Sequence, residues 1–189
     1  MNVPSHSFAQ TFKLTVADLE VLHDAGAFDG TNHIELIDGV LLRMNPQRRP
    51  HGYAGTELGV RLSICVRGLD TELGVLIDCT IAMPPHNAPE PDIFIASDVR
   101  GQGYASLETV RLAVEVGDSS LSYDVREKAA LYARHGVPEY WVVAIPEKQI
   151  HQFWSPASGE YRERRAIRIG ERIASVTVPG LEVETEGLV

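Results

Sequence analysis

Residues 111–136, RLAVEVGDSSLSYDVREKAALYARHG, decide how the rest of the chain is read. Arg111 to Val116 is a β-prone run that is apolar on both faces, which suits the centre of a sheet. A short Gly, Asp and Ser stretch follows, then a helical segment from about Asp124 to His135, closed by Gly136. Side chains alternate along a strand, so Leu112, Val114 and Val116 share one face and Ala113, Glu115 and Gly117 the other. Glu115 is thus a carboxylate in an apolar strand, flanked on its own face by two small residues that leave room for an ion or a ligand. At about 100° per residue, Leu131, Lys128, Tyr132, Val125, Ala129 and Ala133 fall across one broad helix face, opposite Arg126, Arg134 and Glu127. Lys128 lies inside the apolar arc. An unpaired buried ammonium is costly, so Lys128 is expected to meet a carboxylate, with Glu115 the candidate, or to snorkel into a cleft. Asp124 and Glu127 have the spacing of a capping box, which would set the helix start and leave Asp124 without a catalytic role.

Working outward, TVADLEVLHDAG has Thr15 three residues before Asp18 and predicts a short capped helix stopping at Gly26. HIELIDGVLLRM is two β-prone runs about Asp38-Gly39, a hairpin signal that places Glu35 on the first strand. Ala54, Leu58, Leu62, Cys65 and Leu69 line one face of a helix over about residues 51–68, with His51 at its start. GVLIDCTIAM predicts one strand ending at Pro84-Pro85; PEPDIFIAS predicts the next, begun by Asp92. PEYWVVAI and KQIHQFW form a hairpin around Pro146, and the tail from Tyr161 alternates in short β-prone pieces. Helices interleaved with strands argue an α/β fold with a mixed sheet and additional β-hairpins.

A chain of 189 residues, 44% hydrophobic, is read as one domain over residues 1–189. It lacks the apolar run of about 18 residues that a membrane span needs, and MNVPSHSFAQ lacks the features of a signal peptide, so a cytoplasmic location is expected. Cys65 and Cys79 match no metal-binding spacing and are expected to be reduced core residues. A net charge of −9 argues against a passive nucleic-acid coat but not against an enzyme with a local basic patch, for which Arg48, Arg49 and the Arg162–Arg168 cluster are candidates. Phosphate-loop, nucleophile-elbow and zinc-helix motifs are absent from the sequence.

ELIDG at Glu35–Gly39, HG at His51, PD at Pro91-Asp92, VEV around Glu115 and YDVREKAALYARHGVPEYWVV at Tyr123–Val143 together resemble the Uma-two family of restriction endonucleases, within the PD-(D/E)xK nuclease superfamily. The resemblance runs from the first helix to about Trp154. It implies a restriction-endonuclease-like core, a mixed sheet flanked by helices, and a metal-dependent endonuclease acting on DNA with Mg²⁺, for which Mn²⁺ can substitute. Asp92, Glu115 and the backbone carbonyl of Val116 are the implied metal ligands. The superfamily lysine, two residues after the second carboxylate, would fall on Gly117; in similar proteins it has moved to the following helix, where Lys128 matches. Glu35 matches an upstream acidic position and His51 a histidine near the start of the second helix, both implied to assist catalysis. Pairing into a homodimer is a further expectation.

The residue types suit the chemistry. Hard Mg²⁺ prefers oxygen ligands, and a lysine can orient water or stabilise charge on the phosphate. Outside the resemblance each residue also has a structural reading: Asp92 as a turn cap, Glu115 and Lys128 as a core ion pair, Glu35 as an exposed strand residue, His51 as a polar helix start. Two other functions stay open: a nuclease-fold nucleic-acid-binding or regulatory module without turnover, and a hydrolase of another phosphate ester.

Overall fold

The computed structural model describes residues 10–30 and 33–189. The reading of the first ten residues therefore lies almost wholly outside the described residues. In chain order the elements are α1 (Val16–Asp24), β1 (Ile34–Ile37), β2 (Val40–Arg43), α2 (Arg49–Arg67), β3 (Gly74–Ile77), β4 (Ile81–Ala82), β5 (Ile93–Ala96), β6 (Ala105–Ser106) and β7 (Val110–Gly117). Then come α3 (Leu121–Tyr123), a π turn (Asp124–Lys128), α4 (Ala129–Arg134), β8 (Glu139–Ala144), β9 (Gln149–Ala157), β10 (Glu160–Arg168), β11 (Arg172–Ala174) and β12 (Glu182–Glu184).

The apolar run around Glu115 becomes β7, an interior strand of a six-stranded sheet ordered β10-β9-β8-β7-β5-β3. Its pairing with β8 is parallel, while its pairing with β5 and those of β8 with β9, β9 with β10 and β3 with β5 are antiparallel. A parallel pair needs a crossover, and the helical stretch from α3 to α4 supplies it. On one face α2 lays Ala54, Leu58, Leu62 and Val66 against Ile93, Leu112, Val114, Val116 and Trp141. On the other, Ala129 and Tyr132 pack on Phe94, Ala113, Tyr140 and Val142. Burying Leu58 and Leu62 completely stabilises α2 by about 1.5–3 kcal/mol each, so packing outweighs the cost of its internal glycines. At Gly59 a Cβ would stand 2.9 Å from Ile77 Cδ1, the movable tip of a side chain. The outcome is the expected α/β fold, a mixed sheet between helices with smaller hairpin sheets at its margins.

The hairpin and the capped first helix form as expected. β1 pairs with β2 around Asp38 and Gly39, both at positive φ, and Thr15 and Asp18 complete a reciprocal capping box on α1. Three details differ. GVLIDCTIAM is not one strand: Asp78, at φ 49°, turns the chain between β3 and β4. The helix after β7 starts at Leu121, not Asp124, and no side chain caps it; Asp124 lies inside the π turn and its Oδ2 accepts from the Ser120 hydroxyl at 2.6 Å. Cys65 and Cys79 are free thiols, half-buried rather than core. No described helix is long and apolar enough to cross a membrane.

Candidate active site

Strand register builds the centre of the site. Ile93 lies opposite Val114, so Asp92, just before β5, comes alongside Glu115 on β7. The Val116 N–H donates to Asp92 Oδ2 at 2.6 Å, and Gln47 Nε2 donates to Oδ1 at 3.1 Å. His51, in the first turn of α2, brings Nε2 within 3.3 Å of Asp92 Oδ2. From the π turn, Lys128 Nζ donates to Glu115 Oε1 at 2.9 Å and to Glu35 Oε1 on β1 at 2.5 Å. The Tyr132 hydroxyl also donates to Glu115 Oε1, at 2.9 Å. All five side chains expected to carry the chemistry, Glu35, His51, Asp92, Glu115 and Lys128, line one cavity of about 160 Å³ together with Val116.

The room expected beside Glu115 is only partly open. Lys128 and Tyr132 occupy it from the helix and leave the residue 6% exposed. Gly117 shows why no lysine stands two residues after Glu115: a Cβ there would meet Leu121 Cα and Cδ1 at 3.0 Å and Asp124 Oδ2 at 3.2 Å. The chain closes that position and brings an ammonium from the helix instead. The π turn is the place from which it comes; such local widenings of a helix recur at functional sites.

The cavity holds far more negative than positive charge. Seven carboxylates line it (Glu35, Asp78, Glu90, Asp92, Glu115, Asp118 and Asp124) against Lys128, Arg48 and two histidines. Burial works against the Lys128 ammonium, but Glu115 and Glu35 outweigh it and hold its pKa above the ordinary lysine value. One cation shared between two carboxylates does not neutralise both. Burial therefore pushes the Glu115 carboxyl well up; Lys128 opposes the shift, while Asp92, Asp124 and Glu35 reinforce it. Burial likewise raises Asp124 to about 6, against the pull of Ser120 and Lys128. For His51, burial disfavours the cation, but the hydrogen bond and charge of Asp92 outweigh it and the pKa rises. Two buried polar atoms lack any hydrogen-bond partner among the described residues, Glu35 Oε2 and His51 Nδ1.

Several cavity residues have no counterpart in the sequence reading. From sequence Asp124 has only the reading of a helix cap, and Gln47, His33 and Glu90 have none; Tyr132, which does not line the cavity but donates to Glu115, is placed by the sequence only on the apolar helix face. Asp78 lines the cavity as well. Helical spacing could have flagged Tyr132, one turn beyond Lys128 on the same face. Nothing local flags His33 or Glu90, because what joins them is tertiary.

The family profile of Uma2, described as "Putative restriction endonuclease", matches residues 17–186. Among solved structures, the fold is similar to that of "a putative nuclease belonging to DUF820" from Anabaena variabilis ATCC 29413, with 12% identity over 75% of this chain and 80% of that one and a TM-score of 0.60. At that identity the likeness speaks for the fold. No match was found among curated proteins.

Proposed function

We propose that this chain, which belongs to the Uma2 family, is a metal-dependent endonuclease that hydrolyses phosphodiester bonds in DNA. The observation that carries the reading is the meeting of Asp92, just before β5, and Glu115 on β7 beside Lys128, in a cleft with a large excess of carboxylates. A donor set so rich in oxygen suits Mg²⁺, with Mn²⁺ as a substitute. Asp92, Glu115 and the Val116 carbonyl would hold the ion, which would supply polarisation of the scissile phosphate and acidification of water.

The chain's own residues have separable tasks. Lys128, kept protonated by its two carboxylate partners, acts through charge and not as a base: it fixes Glu115 and favours the negative charge that builds on phosphorus. Gln47 and the Val116 N–H hold the two oxygens of Asp92 in place. His51 has its Nε2 against Asp92, so Nδ1, without a partner among the described residues, is the atom at which it would gain or release a proton. Glu35 orients Lys128 from the other side. Arg48 and Arg49, at the mouth of α2, offer positive charge to the DNA backbone.

The test is cleavage of supercoiled plasmid and single-stranded circular DNA with Mg²⁺ or Mn²⁺, beside Asp92→Ala, Glu115→Ala and Lys128→Ala. Cutting that needs metal and falls at least about 100-fold in each folded variant, the scale of a lost electrostatic contact in a transition state, supports the reading. Cutting that survives in all three variants would overturn it. One observation favours a second reading, a module that binds nucleic acid without turnover: Lys128 is 1% exposed and tied to two carboxylates. Binding of DNA by a wild-type protein that cuts nothing would select that alternative.

A further inference from the structure

The side chains of His33, Asp78 and Glu90 stand in the same cleft but make no hydrogen bond to Lys128 or to the Asp92 carboxylate. They come from three places: the segment before β1, the turn after β3 and the segment before β5. Their nitrogen and two carboxylate oxygens lie within 4.8 Å of one another, and His33 Nδ1 is 3.0 Å from Glu90 Oε1. A single ion with ligand bonds of about 2.0–2.2 Å would be reached by small side-chain adjustments. A second feature points to a cation in the same cleft. Glu35 is 1% exposed, its Oε1 accepts the Glu90 N–H at 2.8 Å, and its Oε2, buried in the cleft wall, has no partner among the described residues. A carboxylate oxygen stripped of water and left without a donor is unfavourable unless a cation completes it.

We propose that His33, Asp78 and Glu90, with Glu35 beside them, form a second divalent-cation site that takes a first-row transition ion such as Mn²⁺ or Zn²⁺. The ligand chemistry separates it from the Asp92–Glu115 pair. An imidazole nitrogen favours transition ions and is a poor partner for Mg²⁺, whereas an all-oxygen set suits Mg²⁺. Asp78 also donates its backbone N–H to the Asp92 carbonyl at 3.2 Å, and Glu90 lies two residues before Asp92. An ion there would brace the segment that carries Asp92.

The experiment counts Mn²⁺ held by the purified full chain in a large excess of Mg²⁺, by electron paramagnetic resonance of the free ion. Wild type is expected to keep one Mn²⁺ per chain that Mg²⁺ does not displace. His33→Ala and Glu90→Gln are expected to weaken that ion by more than about 100-fold, beyond the 10–100-fold effect of an outer-shell partner. Asp78 is exposed, so Asp78→Asn is the variant least able to disturb folding, and it should show the same loss with an unchanged circular dichroism spectrum. Asp92→Asn should keep the ion. Displacement of all Mn²⁺ by Mg²⁺ in wild type, retention in His33→Ala and Asp78→Asn, or loss in Asp92→Asn would each overturn the proposal. Plasmid cleavage is scored separately: a held Mn²⁺ without cutting would sink the nuclease reading alone, and cutting without a held Mn²⁺ would sink the second site alone.

Discussion

Glu139 and Glu115 are both buried carboxylates on neighbouring strands, and the contrast between them separates a structural charge from one kept for work. Glu139 accepts six hydrogen bonds, from Trp141, Gln152, the Ser175 and Thr177 hydroxyls and the Val176 and Thr177 N–H groups. It is saturated and pins the segment that leads towards β12. Among the described residues Glu115 accepts only from Lys128 and Tyr132, both at Oε1, and Glu35 keeps an oxygen with no donor. Lys128 holds the two together. Removing one partner of a buried ion pair costs about 3–5 kcal/mol, so Lys128→Met is expected to lose that much in urea unfolding in the presence of chelator. A loss below about 1 kcal/mol, the worth of an exposed pair, would mean the ammonium is not sequestered as described. Gly117 is a second sensitive position. A methyl there meets backbone at 3.0 Å, and Gly117→Ala is expected to cost about 1–3 kcal/mol by overpacking, measured in the same unfolding experiment.

At the scale of elements, the same substitution has the opposite sign on α2. The Cβ of Gly59→Ala would approach only the tip of Ile77, which is 48% exposed and free to swing outward, while alanine gains helix propensity of about 1 kcal/mol over glycine. Gly59→Ala is therefore expected to be neutral or to stabilise by up to about 1 kcal/mol; a fall in melting temperature would show that α2 sits on β3 too tightly to adjust. The elements themselves were legible where period and punctuation agree: the capped α1, the Asp38-Gly39 hairpin, the amphipathic α2 and the doubly apolar β7. Lys128 could be turned inward from the helical wheel alone because the stretch after it is regular. What the wheel hid is the π turn, since a uniform 100° step cannot show one widened turn, and the capping-box spacing of Asp124 and Glu127 then drew the helix start three residues too late. The break at Asp78 was hidden by the apolar residues on either side of it. His33 and Glu90 were out of reach for a different reason: neither lies in a patterned element, and only the packing of β1 against the segment before β5, seen in the Leu36–Ala88 bridge, brings them to Asp78.

For the whole molecule, the crowding of carboxylates into one cleft couples stability to pH and to metal in opposite senses. Asp124 is buried, and its pKa of about 6 in the folded state exceeds the ordinary 3.8. The folded state thus binds that proton more tightly than the unfolded chain. The contribution is fully present below about pH 4, is lost as pH rises through about 6, and amounts to roughly 3 kcal/mol across that window. Glu115 is shifted in the same direction. In chelator the protein is expected to become more stable as pH falls from about 7 to about 5, the reverse of the usual acid trend for salt-bridged carboxylates. Asp124→Asn should flatten that slope by abolishing its titration. A divalent ion competes with those protons for the same negative field, so the rise in melting temperature on adding Mg²⁺ should grow with pH over the same range. Melting curves of wild type and Asp124→Asn, with chelator and with Mg²⁺, check both slopes. If the chelated protein instead loses stability steadily on acidification from neutrality and Mg²⁺ adds the same increment at every pH, then the carboxylates of the cleft are already satisfied within the fold and the charge imbalance is not what the site holds in reserve for a cation.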